Sequence, residues 1–277
     1  MEKKQKNKTI TLPSGRILPA LGLGMWYFGE DAGAYFKETA LIRRALEIGY
    51  RVFDTAEMYG NGGAEEVLGE AVSDCRKEVF LTSKVSPEFT TYEKIIEACD
   101  KSLERLQTDY LDMYLLHWGM SRNGHPEEVL EAFTDLKNDG KIWAFGVSHF
   151  DLNDLKEWLA FKEAGETAMN QAYFNLVHRQ MEKELLPFCQ KKKIPLIAYA
   201  PLDVYPSAYE NRVLQRIAEN NNASPRQIAL AWLLAKENVG VLVKSQTEET
   251  LLSYFQAQSI HLSEEETDAL NATFPLN

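Results

Sequence analysis

Long hydrophobic runs are missing from this sequence, and their absence excludes one class of protein. The longest apolar stretches, such as ALAWLLA at 229–235, are far shorter than the roughly 20 residues that a helix needs to cross a bilayer. The basic start, MEKKQKNKTI, is not followed by the apolar segment that a secretory signal carries. We therefore expect a protein that has no membrane partner, with residues 1–8 as a disordered end.

Cysteine is scarce and positive charge is in deficit. The three cysteines, Cys75, Cys99 and Cys189, are odd in number and far apart, which argues against a disulfide framework and favours the cytoplasm. No metal-ligand spacing links them or the histidines, so no metal is expected. The 30 Lys+Arg against 41 Asp+Glu give a net charge of -11, which repels phosphate backbones and makes nucleic acid an unexpected partner.

The sequence also lacks any Gly/Ser-rich or Pro-rich linker that would divide its 277 residues. Short runs rich in Val, Ile, Leu and aromatics recur instead, each followed by a stretch of helical periodicity. The predicted strands are ALGLG at 20–24, RVFDT from 51, VFLTSK from 79, DMYLLH from 112, IWAFGVS from 142, AMNQ from 168, PLIAYA from 195 and GVLVKS from 240. Eight such units predict parallel strands covered by helices in a single (β/α)8 TIM barrel domain over 1–277.

Local signals support this organisation. Ser224 with Gln227, and Ser263 with Glu266, stand in capping-box order at the start of helical stretches. Before the first barrel strand, TITLPSGRIL alternates in hydrophobicity around a Pro-Ser-Gly turn, which predicts an N-terminal β-hairpin at the barrel floor.

Polar and ionisable residues stand where the predicted strands end, which is the face of such a barrel that carries active sites. They are Asp54, Lys84, His117, Ser148, His149, Asn170, Gln171, Tyr199 and Lys244. Taken singly, Asp54 is typical of a turn cap, Lys84 of a solvated charge and His117 of a satisfied core histidine. Together, an acid and an amine at the rims of neighbouring strands predict an ion pair in the barrel mouth.

Tyr59 follows Asp54 by five residues, across the break between a strand and a helix. The loop would carry its hydroxyl to Lys84, and a positive charge near a phenol lowers a pKa that is ordinarily about 10. Tyr59 is therefore predicted to be an acid usable near neutral pH, with His117 orienting a carbonyl oxygen. No G-x-S-x-G motif supports acyl transfer.

A series of motifs resembles the aldo-keto reductases in order and spacing. They are FDTAEMYGNGGAEEVLGEA, LTSK, SLERLQTDYLDMYLLHW, GKIWAFGVSHF, NQAYFNL, IAYAPL and VLVKS. The AEMY segment is similar to a bacterial branch that includes methylglyoxal reductases. The resemblance implies reduction of an aldehyde or ketone to an alcohol, with Asp54, Tyr59, Lys84 and His117 as the catalytic tetrad. Tyr59 would give its proton to the carbonyl oxygen while a nicotinamide delivers hydride.

The resemblance also implies a cofactor site. Tyr199 matches the ring that stacks on the nicotinamide, Gln171 and Ser148 match carboxamide ligands, and His149 replaces the usual asparagine. The further cofactor residues that it implies are Gly24, Met25, Trp26, Ala200, Leu202, Lys244, Ser245 and Thr247. Lys244 and Ser245 stand where the family holds a 2'-phosphate, but Thr250 and Tyr254 replace an arginine and an asparagine. NADPH is therefore the expected cofactor, with NADH as the alternative.

The substrate is expected to be a small carbonyl compound. Trp26, Tyr27, Met58 and Trp118 are predicted to line an apolar pocket on loops at the barrel mouth. The short loop after His117 and the end at FPLN predict an open pocket that accepts small aldehydes, including α-oxoaldehydes.

We expect a monomeric, cytoplasmic reductase. The alternative from a different class is a cofactor-bound regulatory or interaction protein on the same barrel. A hydrolase is disfavoured because it would need a metal set or paired carboxylates.

Overall fold

Eight parallel strands close into a barrel in the computed structural model, which describes residues 8–86, 88, 91–118 and 125–276. The hydrogen-bonded order around the barrel is β10-β3-β4-β5-β6-β7-β8-β9. The strands are β3 (Leu21–Gly24), β4 (Val52–Asp54), β5 (Phe80–Val85), β6 (Met113–Leu116), β7 (Phe145–Ser148), β8 (Asn170–Tyr173), β9 (Leu196–Tyr199) and β10 (Val239–Val243). Each overlaps a predicted strand, and the predicted (β/α)8 barrel is confirmed.

The predicted hairpin is also present, as the antiparallel strands β1 (Thr9–Thr11) and β2 (Ile17–Pro19). Gly15 in its turn has φ 86, a left-handed conformation that glycine adopts at little cost. The Thr11 N–H donates to the Asn238 side chain at 2.9 Å. Asn238 directly precedes β10, so the hairpin lies at the amino-terminal end of that strand, the floor side of the barrel.

Helices follow the strands, as the periodicity predicts. In the described part of the chain they are α1 (Tyr35–Ile48), α2 (Gly63–Val72), α3 (Tyr92–Arg105), α4 (Pro126–Asn138), α5 (Leu152–Trp158), α6 (Leu185–Lys192), α7 (Pro206–Tyr209), α8 (Arg212–Asn220), α9 (Pro225–Leu234), α10 (Glu248–Gln256) and α11 (Glu264–Thr273). Both predicted capping boxes form, at the start of α9 and of α11. None of these helices has the length and apolarity needed to cross a membrane.

One predicted strand begins later than its apolar run. IWAFGVS starts at residue 142, but β7 begins only at Phe145. Ile142 forms a single bridge to Leu111, and Trp143 turns outward to stack on Tyr110 with ring centroids 5.0 Å apart. The first three residues of the run therefore precede the regular strand, with Ile142 buried and Trp143 at the surface.

The chain forms two compact units, which are taken separately. One is Leu23–Gln171, and the other is made by the chain before Leu23 and after Gln171. In the first unit, α3 buries the face that its periodicity predicts, including Ile95 and Leu103. In the second unit, seven successive residues of α9, from 228 to 234, are buried, as expected for a helix that is apolar on all sides.

All three cysteines are unpaired. Cys99 and Cys189 are fully buried, and burial raises the pKa of each thiol to about 12. Cys75 is partly exposed, and burial together with the nearby Asp74 raises the pKa of its thiol too. Each sulfur is therefore held as a neutral thiol at neutral pH.

Candidate active site

The predicted ion pair forms at the carboxyl ends of β4 and β5. Asp54 is in register with Thr82 of β5. Side chains alternate along a strand, so Lys84, two residues after Thr82, points to the same side of the sheet as Thr82, nearer the carboxyl end of the strand. The Lys84 Nζ donates to Asp54 Oδ1 at 2.5 Å and to the Thr55 carbonyl at 2.7 Å. The Lys84 side chain is only 1% exposed. Burial alone would lower the pKa of Lys84, but the Asp54 carboxylate and Tyr59 outweigh it and raise that pKa above its usual value.

Tyr59 lies next to this pair because the chain turns sharply after β4. It begins a short 3-10 turn, and Gly60 and Asn61 behind it have φ 56 and φ 53. Its hydroxyl is 3.4 Å from Lys84 Nζ and 3.4 Å from His117 Nε2. The phenol oxygen therefore has a cation on one side and an imidazole on the other.

The pKa of Tyr59 differs from the prediction. Burial raises it, the Lys84 charge lowers it, and Asp54 raises it again, with a net result above the usual value of about 10. The prediction of a lowered pKa is therefore wrong, although Lys84 acts in the predicted direction. The reason is that burial of the phenol has the largest effect and the paired Asp54 cancels part of the lysine's charge. Tyr59 is protonated at neutral pH, which is the form that a proton donor needs.

His117 follows β6 directly, and its backbone N–H donates to the Val85 carbonyl at 3.0 Å. The side chain is buried, and burial, then the Lys84 charge and His149, lower the pKa of His117 to about 2. The imidazole that faces Tyr59 is therefore neutral across the range in which enzymes work.

The depressed pKa of His117 predicts an acid-sensitive fold. A group whose folded pKa lies below the unfolded value of about 6.5 contributes stability that is present above that value and lost as the pH falls. We expect the free energy of unfolding to decrease from about pH 6.5 downward, and to decrease less steeply in His117→Gln. Urea denaturation at a series of pH values measures this, with His261→Gln as the surface control. Equal slopes in wild type and His117→Gln would contradict the assignment.

The nicotinamide-side candidates of the first unit stand together at the ends of β7 and β8. Ser148 is in register with Gln171, and the His149 N–H donates to the Gln171 carbonyl at 2.8 Å. The Gln171 side-chain amide donates to Asp54 Oδ2 at 2.5 Å, which leaves the Gln171 Oε1 as its acceptor for another partner. The structure thus joins a candidate cofactor residue to the acid of the ion pair.

His149 makes both polar and stacking contacts. Its φ is 60, in the left-handed region where asparagine and histidine are both enriched. The Nδ1 lies 2.9 Å from the His117 carbonyl and 2.9 Å from Ser148 Oγ. A carbonyl can only accept, so the Nδ1 carries the proton in that bond. The ring also stacks on Trp118 with centroids 3.8 Å apart.

The candidate pocket residues of the same unit are partly exposed, as an open mouth requires. Trp26 stacks on Tyr27 with centroids 4.8 Å apart, and both are about half exposed, as are Met58 and Trp118. Gly24 ends β3 level with Asp54, and the buried Met25 donates its N–H to the Asp54 carbonyl at 2.8 Å. The sequence predicts a short loop after His117. Residues 119–124 of that loop lie outside the described part of the chain.

In the second unit, the adenosine-side candidates surround the start of α10. Lys244 follows β10 and is exposed, and Ser245 Oγ donates to the Thr247 carbonyl at 2.9 Å. Thr247 is the N-cap of α10 and accepts from the Thr250 N–H at 3.3 Å, with the two hydroxyls 2.8 Å apart. Thr250 therefore extends the cap, where the family's arginine would project a guanidinium.

The remaining candidates lie after β9. Tyr199 has its ring 5.7 Å from that of Tyr173, and Ala200 has φ 50. The Ala200 carbonyl accepts from the side chain of Asn175 at 3.3 Å. The sequence reading did not single out Asn175, although it lies within the NQAYFNL motif. Its buried amide also bonds the carbonyl of Asp203, so it holds the loop that carries Leu202.

The closed barrel carries Asp54, Lys84 and His117 at its strand ends and Tyr59 in the turn after β4, an arrangement typical of an oxidoreductase. Within the described residues no cluster of His, Cys, Asp or Glu is arranged to hold a metal. The family model for the Aldo/keto reductase family matches residues 20–273. The chain therefore belongs to the aldo/keto reductase family, as the motifs predict.

Similar proteins include Methylglyoxal reductase YeaE of Escherichia coli (strain K12), which is 39% identical over 98% of this chain and 96% of its own length. Glyoxal reductase of Bacillus subtilis (strain 168) is 36% identical over 95% of this chain and 92% of its own. An aldo-keto reductase from Klebsiella pneumoniae, solved in complex with NADPH, is 37% identical with a TM-score of 0.93, covering 98% of this chain and 96% of that one.

Proposed function

We propose that this chain reduces small aldehydes and ketones to alcohols with NADPH, within a single barrel domain. The observation that carries the proposal is the position of the Tyr59 hydroxyl, 3.4 Å from both Lys84 Nζ and His117 Nε2, with Lys84 paired to Asp54 at 2.5 Å. A proton donor, a group that stabilises its anion and a group that orients an oxygen are what carbonyl reduction requires of a protein.

In this mechanism the chain's own residues handle the proton. The reduced nicotinamide, when bound, supplies hydride to the carbonyl carbon, and negative charge develops on the oxygen. Tyr59 gives its proton to that oxygen, and Lys84 stabilises the phenolate that forms. Asp54 keeps Lys84 in place and charged, since its carboxylate raises the lysine pKa against the effect of burial. The neutral His117 orients the oxygen without competing as an acid, because its pKa is lowered to about 2.

The proposed cofactor residues fit a phosphorylated dinucleotide. Lys244, Ser245 and Thr247 combine a cation, a hydroxyl and the N-terminus of α10, which together favour an anion. On the nicotinamide side we propose Gly24, Met25, Trp26, Ser148, His149, Gln171, Tyr199, Ala200 and Leu202. Two solved relatives from Klebsiella pneumoniae, at 37% and 36% identity, carry NADPH and NADP, which supports NADPH over NADH.

We propose α-oxoaldehydes such as methylglyoxal among the substrates. The half-exposed Trp26, Tyr27, Met58 and Trp118 support an open, apolar-lined pocket that small carbonyl compounds can enter. The relative from Escherichia coli is named a methylglyoxal reductase and the relative from Bacillus subtilis a glyoxal reductase, which supports the same class of substrate. The monomeric state and the cytoplasmic location stay predictions.

A titration followed by nicotinamide fluorescence tests the proposal. Purified protein is titrated with NADPH and with NADH, and methylglyoxal is then added to the same sample. Micromolar NADPH binding with aldehyde-dependent oxidation supports the reductase. Tight binding without turnover across a panel of aldehydes would favour the regulatory alternative, and no binding would refute both. Strong preference for one ketosteroid over every small aldehyde would contradict the substrate class alone.

Lys244→Met tests the choice between the two cofactors. A charge-assisted contact to a phosphate is worth roughly 1.5 to 3 kcal/mol, so we expect the Kd for NADPH to rise about tenfold or more. NADH has no 2'-phosphate, and its Kd should change little. Titration of both cofactors against wild type and variant measures the difference. An equal loss for NADH and NADPH would mean that Lys244 does not contact the phosphate.

A further inference from the structure

An arginine lies in the first turn of α9, within the second unit, over an aromatic ring. The Cζ of Arg226 is 4.6 Å from the centroid of the Tyr209 ring, a cation–π arrangement. The Tyr209 hydroxyl in turn donates to the Leu202 carbonyl at 3.0 Å. Tyr209 therefore links the guanidinium to the loop after β9, which carries candidate cofactor residues.

The same turn of α9 is tied to α10. The side-chain amide of Gln227, the neighbour of Arg226, donates to the Ser253 carbonyl at 2.8 Å. Tyr254 follows Ser253, and burial raises the pKa of Tyr254 while the Arg226 charge lowers it. Arg226 thus lies beside α10 near Tyr254, about two turns along the helix from its N-cap Thr247.

Arg226 is exposed, and no carboxylate of the residues that the structure describes pairs with it. Its guanidinium packs on the Tyr209 ring, an arrangement that leaves its N–H groups available to an anion. The position where the family carries an arginine, residue 250, is a threonine whose hydroxyl is used in the cap of α10. The chain therefore lacks a guanidinium at the usual place and has one on the adjacent helix.

We propose that Arg226 is the second cation for the cofactor's 2'-phosphate and thereby determines preference for NADPH over NADH. A guanidinium can bind a phosphate with two parallel N–H bonds, whereas Lys244 acts as a point charge, so the two cations are complementary. Contact with the Tyr209 ring restrains the guanidinium and reduces the freedom lost on binding. This assignment rests on the proposed function, because it needs NADPH at this site.

Fluorescence titration of Arg226→Ala with NADPH and NADH tests the assignment. We expect the Kd for NADPH to rise about tenfold or more and the Kd for NADH to change less than about twofold. Arg226→Lys should lie between wild type and alanine, since it keeps the charge and loses the bidentate geometry. Adding Thr250→Arg to Arg226→Ala should restore most of the NADPH affinity. Arg216→Ala, an exposed arginine of α8, removes the same charge elsewhere in this unit and should leave both constants unchanged.

Turnover separates failure of this assignment from failure of the proposed function. At saturating NADPH, Arg226→Ala should still oxidise the cofactor when methylglyoxal is added, which shows that the variant is folded. If Arg226→Ala weakens the binding of NADPH and NADH equally, or weakens neither, the 2'-phosphate role is overturned. Methylglyoxal reduction by the wild-type protein would in that case still support the proposed reductase. Wild-type protein that does not bind NADPH at all would overturn both.

Discussion

Tyr59→Phe should lower kcat for methylglyoxal reduction by about 10²- to 10⁴-fold, the usual contribution of a positioned proton donor. The substitution removes one oxygen and keeps the ring, so the Kd for NADPH should stay at the wild-type value. Oxidation of NADPH at saturating aldehyde measures the first quantity, and fluorescence titration measures the second.

The chain offers a matched control for this change. Tyr110 precedes β6, at the opposite end of that strand from His117, and its ring stacks on Trp143 at the surface. Tyr110→Phe makes the same chemical change and should leave kcat within about twofold, since it touches no group of the proposed site. Activity of Tyr59→Phe within tenfold of wild type would refute Tyr59 as the acid.

Lys84→Met should cause both a catalytic and a stability loss. It leaves the Asp54 carboxylate buried without its cation, and breaking a buried pair in this way costs about 3 to 5 kcal/mol. It also removes the charge that lowers the pKa of Tyr59, so the phenolate becomes harder to form and kcat should fall by at least about 10²-fold. Urea denaturation at neutral pH and NADPH oxidation measure the two effects.

A surface ion pair provides the comparison. Lys141 Nζ lies 2.5 Å from Asp100 Oδ1, but its side chain is 32% exposed and that of Asp100 is 49% exposed. Lys141→Met should therefore cost no more than about 1 kcal/mol. The double variant Asp54→Asn with Lys84→Met should lose less stability than the sum of its single variants, because neither charge is then left alone. Additive losses would mean that the two residues are not energetically coupled.

The positions that the sequence predicts and the structure shows are those that follow from strand periodicity. Asp54, Lys84 and His117 each end an apolar run, and parallel strands bring such residues to one edge. The geometry of Tyr59 follows from the break after Asp54. The pKa of Tyr59 does not follow from the sequence. The direction of its shift depends on whether burial, which raises the pKa, outweighs the Lys84 charge, which lowers it and which Asp54 partly cancels.

Arg226 shows a second limit on what can be predicted from the sequence. In the sequence it lies inside a capping box, and its local context indicates only the first turn of a helix. Its relation to Tyr209 and Tyr254 depends on how α9 packs against its neighbours, which no short-range pattern contains. The same is true of the stack between Trp118 and His149, since 31 positions separate the two residues in the chain. Where a contact joins distant elements, only the folded structure reveals it.

The buried cysteines bear on how long such a catalyst would last. α-Oxoaldehydes are electrophiles, and the thiolate is the form of cysteine that attacks electrophiles. With a pKa of about 12, Cys99 and Cys189 are ionised at pH 7 in only about one molecule in 10⁵. The raised pKa of Cys75 disfavours its thiolate as well. The protein is thus expected to be poorly reactive at sulfur toward the compounds it is proposed to consume, so modification of these thiols should not limit its lifetime.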